Sequence, residues 1–284
     1  MFIIIGFIIV LACVGGGFVL SHGQLGSLWQ PYELLIIGGA AFGAFVVSHP
    51  TKVIKSVFAN CVLILKGSKY QKALYLELLS LLFGILTKAR KEGMMAIEAD
   101  IDDPAASELF SKYPKILADH HILDFICDYL RMMVGGNMNA FELENLMDVE
   151  LETHHEESKL AADAVNKASD ALPGFGIVAA VLGIVITMGA LTEPPEVIGH
   201  HVAAALVGTF LGILMAYGFV GPMAVAMEHI SREEAKFYTC IKVTLLASVN
   251  GYNPQVAVEF GRKVMYSSER PSFTELEEHV KNQG

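Results

Sequence analysis

Residues 172–191 read LPGFGIVAAVLGIVITMGAL and residues 202–227 read VAAALVGTFLGILMAYGFVGPMAVAM, and neither run contains an Asp, Glu, Lys, Arg or His. The hydrocarbon core of a bilayer is about 30 Å thick, so a spanning helix needs roughly 20 apolar residues at about 1.5 Å rise each. Both runs therefore predict membrane-spanning helices, separated by a short segment over 192–201 that carries Glu193-Pro194-Pro195-Glu196. Working outward, Phe2–Leu20 (FIIIGFIIVLACVGGGFVL) is uncharged throughout and predicts a first helix. A cleaved signal peptide would need a basic region ahead of it, and none is present, so the helix is expected to be retained. Leu34–Ser48 predicts another, lengthened outward by Pro31 as a first-turn residue and stopped by His49-Pro50.

Composition agrees. Of 284 residues, 53% are hydrophobic and only 18% charged, against about 25% charged in an ordinary soluble domain. The aliphatic content excludes a disordered chain, the net charge of −10 excludes a nucleic-acid binder, and four scattered cysteines exclude a disulfide scaffold. Cys13, Cys61, Cys127 and Cys240 show no paired spacing and are expected to be reduced thiols. The basic residues fall in two blocks, 13 between Lys52 and Lys167 and 7 between Arg232 and Lys281. Segments 21–33 and 192–201 carry none, so they face outward and both flanks face the cytoplasm.

The predicted fold class is an all-α integral membrane protein with four transmembrane helices and a helical cytoplasmic domain inserted between the second and third. The order runs helix 1–20, periplasmic loop 21–33, helix 31–48, cytoplasmic domain 49–171, helix 172–191, periplasmic loop 192–201, helix 202–227 and cytoplasmic tail 228–284. Both termini are expected inside. Within the insert, Tyr70–Gly93 sets Leu74, Leu78, Leu81, Leu82 and Ile85 on one side, with Lys88, Arg90 and Lys91 in the last turn, where cations suit the helix dipole. Asp103-Pro104 reads as an N-cap with proline after it, Leu117–Met133 and Ala140–Lys159 as amphipathic helices, and Ser272-Phe-Thr-Glu275 as a capping box opening a short acidic helix.

An ionisable group inside a membrane helix marks function by default, and the four apolar runs contain none. If this protein moves ions, the titrating group must come from another chain. Gly39-xxx-Gly43 and Gly208-xxx-Gly212 are small-residue motifs that let helices approach closely. Pro173 is placed at the start of the third helix, where its missing N–H costs nothing. Pro222 falls inside the fourth, where it deprives the Gly218 carbonyl of a partner and predicts either a static kink or a hinge. Thr187 and Thr209 are the polar handles of this pair, expected either to bond back to their own helix or to line an ion path.

Ala205-Leu-Val-Gly-Thr209-Phe-Leu-Gly212, with Pro222 ten residues on, resembles the signature of the MotA/PomA flagellar stator family. So do Leu172-Pro-Gly-Phe-Gly-Ile-Val-Ala-Ala180, Asp124-Phe-Ile-Cys-Asp-Tyr-Leu130, Asn250-Gly-Tyr252, Val258-Glu-Phe-Gly-Arg262 and Tyr266-Ser-Ser-Glu-Arg-Pro-Ser-Phe273, so that the likeness covers nearly the whole chain. The resemblance implies a motor subunit of the bacterial inner membrane and flagellar basal body. Five such subunits would form a ring around a dimer of a MotB-type partner, whose aspartate takes and releases the ion. It further implies that Arg90, Glu98 and Glu150 contact the rotor protein FliG, that Pro173 and Pro222 couple ion passage to movement, and that Thr209 faces the ion path. Ala180 stands where sodium-driven relatives tend to carry threonine. Sodium needs several oxygen ligands whereas a proton can hop along water and a carboxylate, so protons are the expected ion and sodium the alternative.

Each elementary charge crossing the membrane releases about 2.3 kcal/mol per 100 mV, comparable to the bias a two-state packing element needs. No nucleophile elbow, phosphate loop or carboxylate pair appears, so an enzyme, a cofactor and a metal site are not expected. The doublets His120-His121, His154-His155 and His200-His201 place adjacent rings about 100° apart on a helix, which suits solvated faces better than one metal. A TolQ/ExbB-like energiser is a second candidate, disfavoured by the first helix pair because those relatives have three membrane helices. A structural membrane anchor is a third, and it would predict that altering Arg90 or Pro222 leaves motility intact.

Overall fold

The computed structural model describes residues 2–136 and 138–283, and among them there are helices and turns but no strand. In chain order the helices are α1 (Phe2–Leu20), α2 (Leu25–Leu28), α3 (Pro31–Ser48), α4 (Thr51–Lys66), α5 (Lys72–Glu92), α6 (Glu98–Asp102), α7 (Glu108–Ser111), α8 (Pro114–Leu117) and α9 (His120–Gly135). Then follow α10 (Ala140–Gly189), α11 (Pro195–Met215), a π-helical turn over Ala216–Val220, α12 (Gly221–Val249), α13 (Pro254–Val264) and α14 (Phe273–Gln283). Four stretches are long and apolar enough to cross a membrane: Phe2–Leu20, Leu25–Ser48, and parts of Ala140–Gly189 and Pro195–Val249.

The chain packs as two compact units, one of Met1–Gly67 with Glu157–Ile230 and the other of Ser68–Glu156 with Ser231–Gly284. In the first, α1 buries none of its residues within this chain. By contrast α3 buries Ile37 and Ala41 in a cluster with Leu172, Ala179 and Ala216. Amphipathic α4 lays Val53, Val57 and Ile64 onto Ala161, Ala162, Ala164 and Val165, whose small side chains let the helices lie close.

The second unit is built on α5. Leu78, Leu79, Leu81 and Leu82 are fully enclosed, which is why the apolar positions in this helix are denser than a one-sided stripe. Phe237 of α12 is 0% exposed and its ring centroid lies 5.3 Å from that of Tyr70 and 5.0 Å from that of Tyr75. The capping box forms as expected: the Ser272 hydroxyl accepts the Glu275 N–H at 3.1 Å, and the Glu275 carboxylate accepts the Ser272 N–H at 2.6 Å.

Several boundaries differ from the sequence reading. No break separates an insert ending at 171 from a helix beginning at 172: α10 is one helix of 50 residues and Pro173 lies inside it. Residues 160–171 contain no glycine or proline, so nothing stops the amphipathic helix as its surroundings become apolar. The segment 192–201 shrinks because α11 starts at Pro195, with Pro194 as its cap. Asp103 ends α6 rather than opening a helix. The start lies at Ser107, whose hydroxyl accepts the Leu109 and Phe110 N–H groups. The next long helix begins at His120, capped by Asp119, not at Leu117. The tail does not stand apart either, since 231–284 packs with 68–156 in one core.

Candidate functional site

The crossing of α10 over α11 is built from glycine. A β-carbon on Gly176 would sit 3.1 Å from the Gly208 carbonyl oxygen and 3.2 Å from the Gly212 α-carbon. One on Gly212 would sit 2.8 Å from both the Gly176 α-carbon and the Leu172 carbonyl oxygen, and one on Gly183 would sit 2.7 Å from the Ala205 β-carbon. Backbone thus meets backbone, the arrangement that lets helices associate where burial from water gives no driving force. The Gly208-xxx-Gly212 motif is a packing surface, whereas Gly43 has no heavy atom of the chain within 4 Å of its would-be β-carbon and Gly39 has only a Leu35 methyl at 3.9 Å.

The backbones of Ala180 and Thr209 each flank this crossing. The would-be β-carbon of Gly208 lies 3.5 Å from the Ala180 nitrogen, and that of Gly176 lies 3.4 Å from the Thr209 carbonyl oxygen. Thr187 is 6% exposed and its hydroxyl donates to the Gly183 carbonyl of its own helix at 2.8 Å, the first of the two arrangements expected for it.

A carboxylate just outside the apolar run of α3 belongs here. Glu33 is in the first turn of α3, is half-buried, and has a buried Oε2 without a hydrogen-bond partner. Its Cγ lies 3.6 Å from where a Gly208 β-carbon would be, one residue from Thr209. The signal was in the sequence: once Pro31 opens the helix, Glu33 is necessarily in it.

The prolines frame a second feature. Pro173, inside α10, leaves the Ser169 carbonyl without a helical N–H. Before Pro222 the helix inserts a π turn over Ala216–Val220, where the Gly221 N–H reaches back five residues to the Ala216 carbonyl. The expected disturbance at Pro222 is therefore a local widening of the helix, of the kind often found at functional positions.

The other expected residues lie in the unit of 68–156 and 231–284. Arg90 is exposed beside Lys91 at the end of α5, along a shallow groove with Phe83, Asn253 and Gln255. Glu98 is exposed where α6 begins. Lys88 has a different role: its ammonium meets Asp100 at 2.7 Å, and Asp100 also accepts the Ser107 hydroxyl at 2.6 Å, fastening α6 to α5. Glu150 is exposed on α10 and accepts the Tyr129 hydroxyl at the edge of a pocket lined by Asp124, Asp128, His154 and Tyr238. Burial, and then the carboxylate beside it, push the Tyr129 phenol well above its ordinary value, so it stays a donor to Glu150. No hydrogen bond or ion pair joins Arg90, Glu98 and Glu150 among the described contacts; they are separate surface charges of both signs.

Known proteins resemble the chain along almost all of its length. The family description "Motility protein A N-terminal" matches residues 4–93, and "MotA/TolQ/ExbB proton channel family" matches residues 118–239. The chain is 50% identical over 281 residues to the Motility protein A of Salmonella typhimurium and, to the same extent, to that of Escherichia coli, covering 99% of this chain and 95% of each relative. Among solved structures, the MotAB stator complex of Bacillus subtilis matches with a TM-score of 0.73 and 27% identity over 90% of this chain and 92% of that one. The C. jejuni MotAB structure matches in fold with a TM-score of 0.78 at 19% identity, covering 95% and 98%. With half of its residues shared over 99% of its length, this chain belongs to the motility protein A family.

Proposed function

We propose that this chain is a stator subunit of the flagellar motor and that, with a MotB-type partner, it couples proton flow across the bacterial inner membrane to torque on the rotor. The observation that carries the reading is the 50% identity to Motility protein A across 99% of the chain. The chemistry supports it. The apolar runs 2–20, 34–48, 172–191 and 202–227 hold no ionisable side chain, which a partner's aspartate would supply. Subunits would ring a partner dimer, five to a ring, with the termini and the unit of 68–156 and 231–284 on the cytoplasmic side. There Arg90, Glu98 and Glu150 would meet the rotor protein FliG, since exposed charges of both signs make fast, reversible and salt-sensitive contacts. Ala180, where an oxygen ligand would suit sodium, favours protons, while Thr209 and the prolines Pro173 and Pro222 would line and couple the path.

Complementation tests this directly. Expressed with its partner in a strain lacking its own stator, the chain is expected to restore swimming that collapses with protonophore and ignores external sodium. No swimming would overturn the stator reading, and speed that follows sodium would overturn the proton reading. Arg90→Glu replaces an attraction with a repulsion at an exposed contact, a change of about 1–2 kcal/mol, so rotor engagement should weaken roughly five- to thirtyfold with partial recovery on reversing a rotor charge. An unchanged swarm would leave Arg90 as a helix-end charge only.

Glu33→Gln keeps the shape beside Gly208 and Thr209 but removes the carboxylate. If Glu33 biases the ion path by about 1 kcal/mol, swimming should slow roughly fivefold at unchanged protein level. Wild-type speed would show that the buried carboxylate is packing alone.

A further inference from the structure

The two prolines are joined by one side chain. Ser169 is 3% exposed and its hydroxyl does not turn back to its own helix. It donates to the Ala216 carbonyl at 2.9 Å, where a fully buried Ala216 opens the π turn. Ser169 is also the residue whose own carbonyl Pro173 leaves without a helical partner. Its backbone is thus at the gap made by one proline while its side chain is on the turn that precedes the other. The Ala216 carbonyl gathers two donors, the Gly221 N–H and the Ser169 hydroxyl. A β-carbon on Gly221 would stand 3.0 Å from that carbonyl oxygen and 3.2 Å from the Ser169 Oγ, so glycine leaves room for the bond.

We infer that Ser169 is a positioning residue, a clasp that holds the π turn at Ala216 and links the backbone at Pro173 to the backbone at Pro222. A π turn is a helix with one residue too many, and its neighbour state is a regular α turn in which the Ala216 carbonyl is bonded four residues on, to Val220. The second donor favours the π state. Releasing it permits the register to shift, and remaking it returns the two helices to the same relation. The inference rests on the stator reading for its mechanical role, since the step that moves the helices would make and break this bond.

Two measurements test it, one of which needs no motility. In the purified complex, Ser169→Ala should speed amide exchange at Gly221 about five- to tenfold, the effect of one lost buried hydrogen bond, while exchange in α5 is unchanged. In single-motor recordings the speed per stator unit at low load should fall about threefold or more, with stall torque per unit retained, because the clasp governs a rate of rearrangement. A merely structural loss would reduce how many units engage and leave the speed of each intact. Ser169→Cys, a weaker donor, should be intermediate. If Ser169→Ala does not accumulate, Gly221→Ala wedges the same bond and should give the same phenotype. Where both accumulate, the double variant should be no slower than either alone. Unchanged Gly221 exchange, unchanged low-load speed per unit or simple additivity would each overturn the clasp. Failure of the wild type to rotate would overturn the stator reading instead, leaving the exchange result to decide the clasp by itself.

Discussion

Gly212→Val is expected to abolish motility and to lower the amount of protein in the membrane, with Gly212→Ala intermediate. The first carbon of any side chain at 212 falls 2.8 Å from the Gly176 α-carbon and 2.8 Å from the Leu172 carbonyl oxygen, and both are backbone. No rotamer change relieves them, so α10 and α11 must move apart. Overpacking of this kind costs about 1–3 kcal/mol in a soluble core and more where nothing can shift. In a bilayer the loss is felt fully, because close packing rather than burial from water holds such helices together. The separation also spreads to the approach of Gly208 to Ala179 and Ala180 and of Gly176 to Thr209. Immunoblots of the membrane fraction and swarm diameters measure it. A wild-type swarm from Gly212→Val would show that this crossing is not needed for function.

Phe237→Ala is expected to destabilise the unit of 68–156 and 231–284 strongly without touching any exposed charge. The ring is 0% exposed and packed against Tyr70 and Tyr75 at centroid distances of 5.3 and 5.0 Å. Removing a buried phenylalanine costs about 3–5 kcal/mol, a large part of the roughly 5–15 kcal/mol that holds a domain together. The melting temperature should drop by about 10 °C, and limited proteolysis should cut within 68–156. Phe237→Leu, which fills most of the space, should lose less than half as much. The Tyr70 hydroxyl donates to Glu234 at 2.8 Å, so the ring against which Phe237 packs is itself tied to α12. Equal melting of the variant and the wild type would show that the aromatic cluster is not the centre of this core.

Motility is the shared readout of these substitutions, but they separate by where they act. Gly212 should fail at the helix pair, Phe237 at the folding of a unit, Arg90 at the proposed rotor contact and Ser169 at the speed of each engaged unit. Protein level, melting, salt dependence and load dependence distinguish the four.

Much of this protein was legible one residue at a time. The four apolar stretches follow from a bilayer's thickness, and the capping box at Ser272 follows from local hydrogen bonding, so both needed only the chain. Other features were not local. The 50 residues of α10 change from an amphipathic to an apolar pattern near Leu172, which looks like a boundary but is only a change of surroundings along one helix. Glu33 looked like an edge residue until α11 brought Gly208 and its neighbour Thr209 beside it. The three basic residues ending α5 are alike in the sequence, and only the contact of Lys88 with Asp100 separates a fastening residue from the exposed Arg90.

By itself the sequence determined the helices, the family and the absence of ionisable side chains from the four apolar runs, because hydropathy, propensity and charge act over a few residues and survive without a fold. The tertiary structure alone decided which glycines pack, that the tail shares a core with 68–156, and that Ser169 reaches the π turn at Ala216. Those depend on atoms distant in the chain coming within about 3–4 Å of each other, a condition that no local pattern encodes.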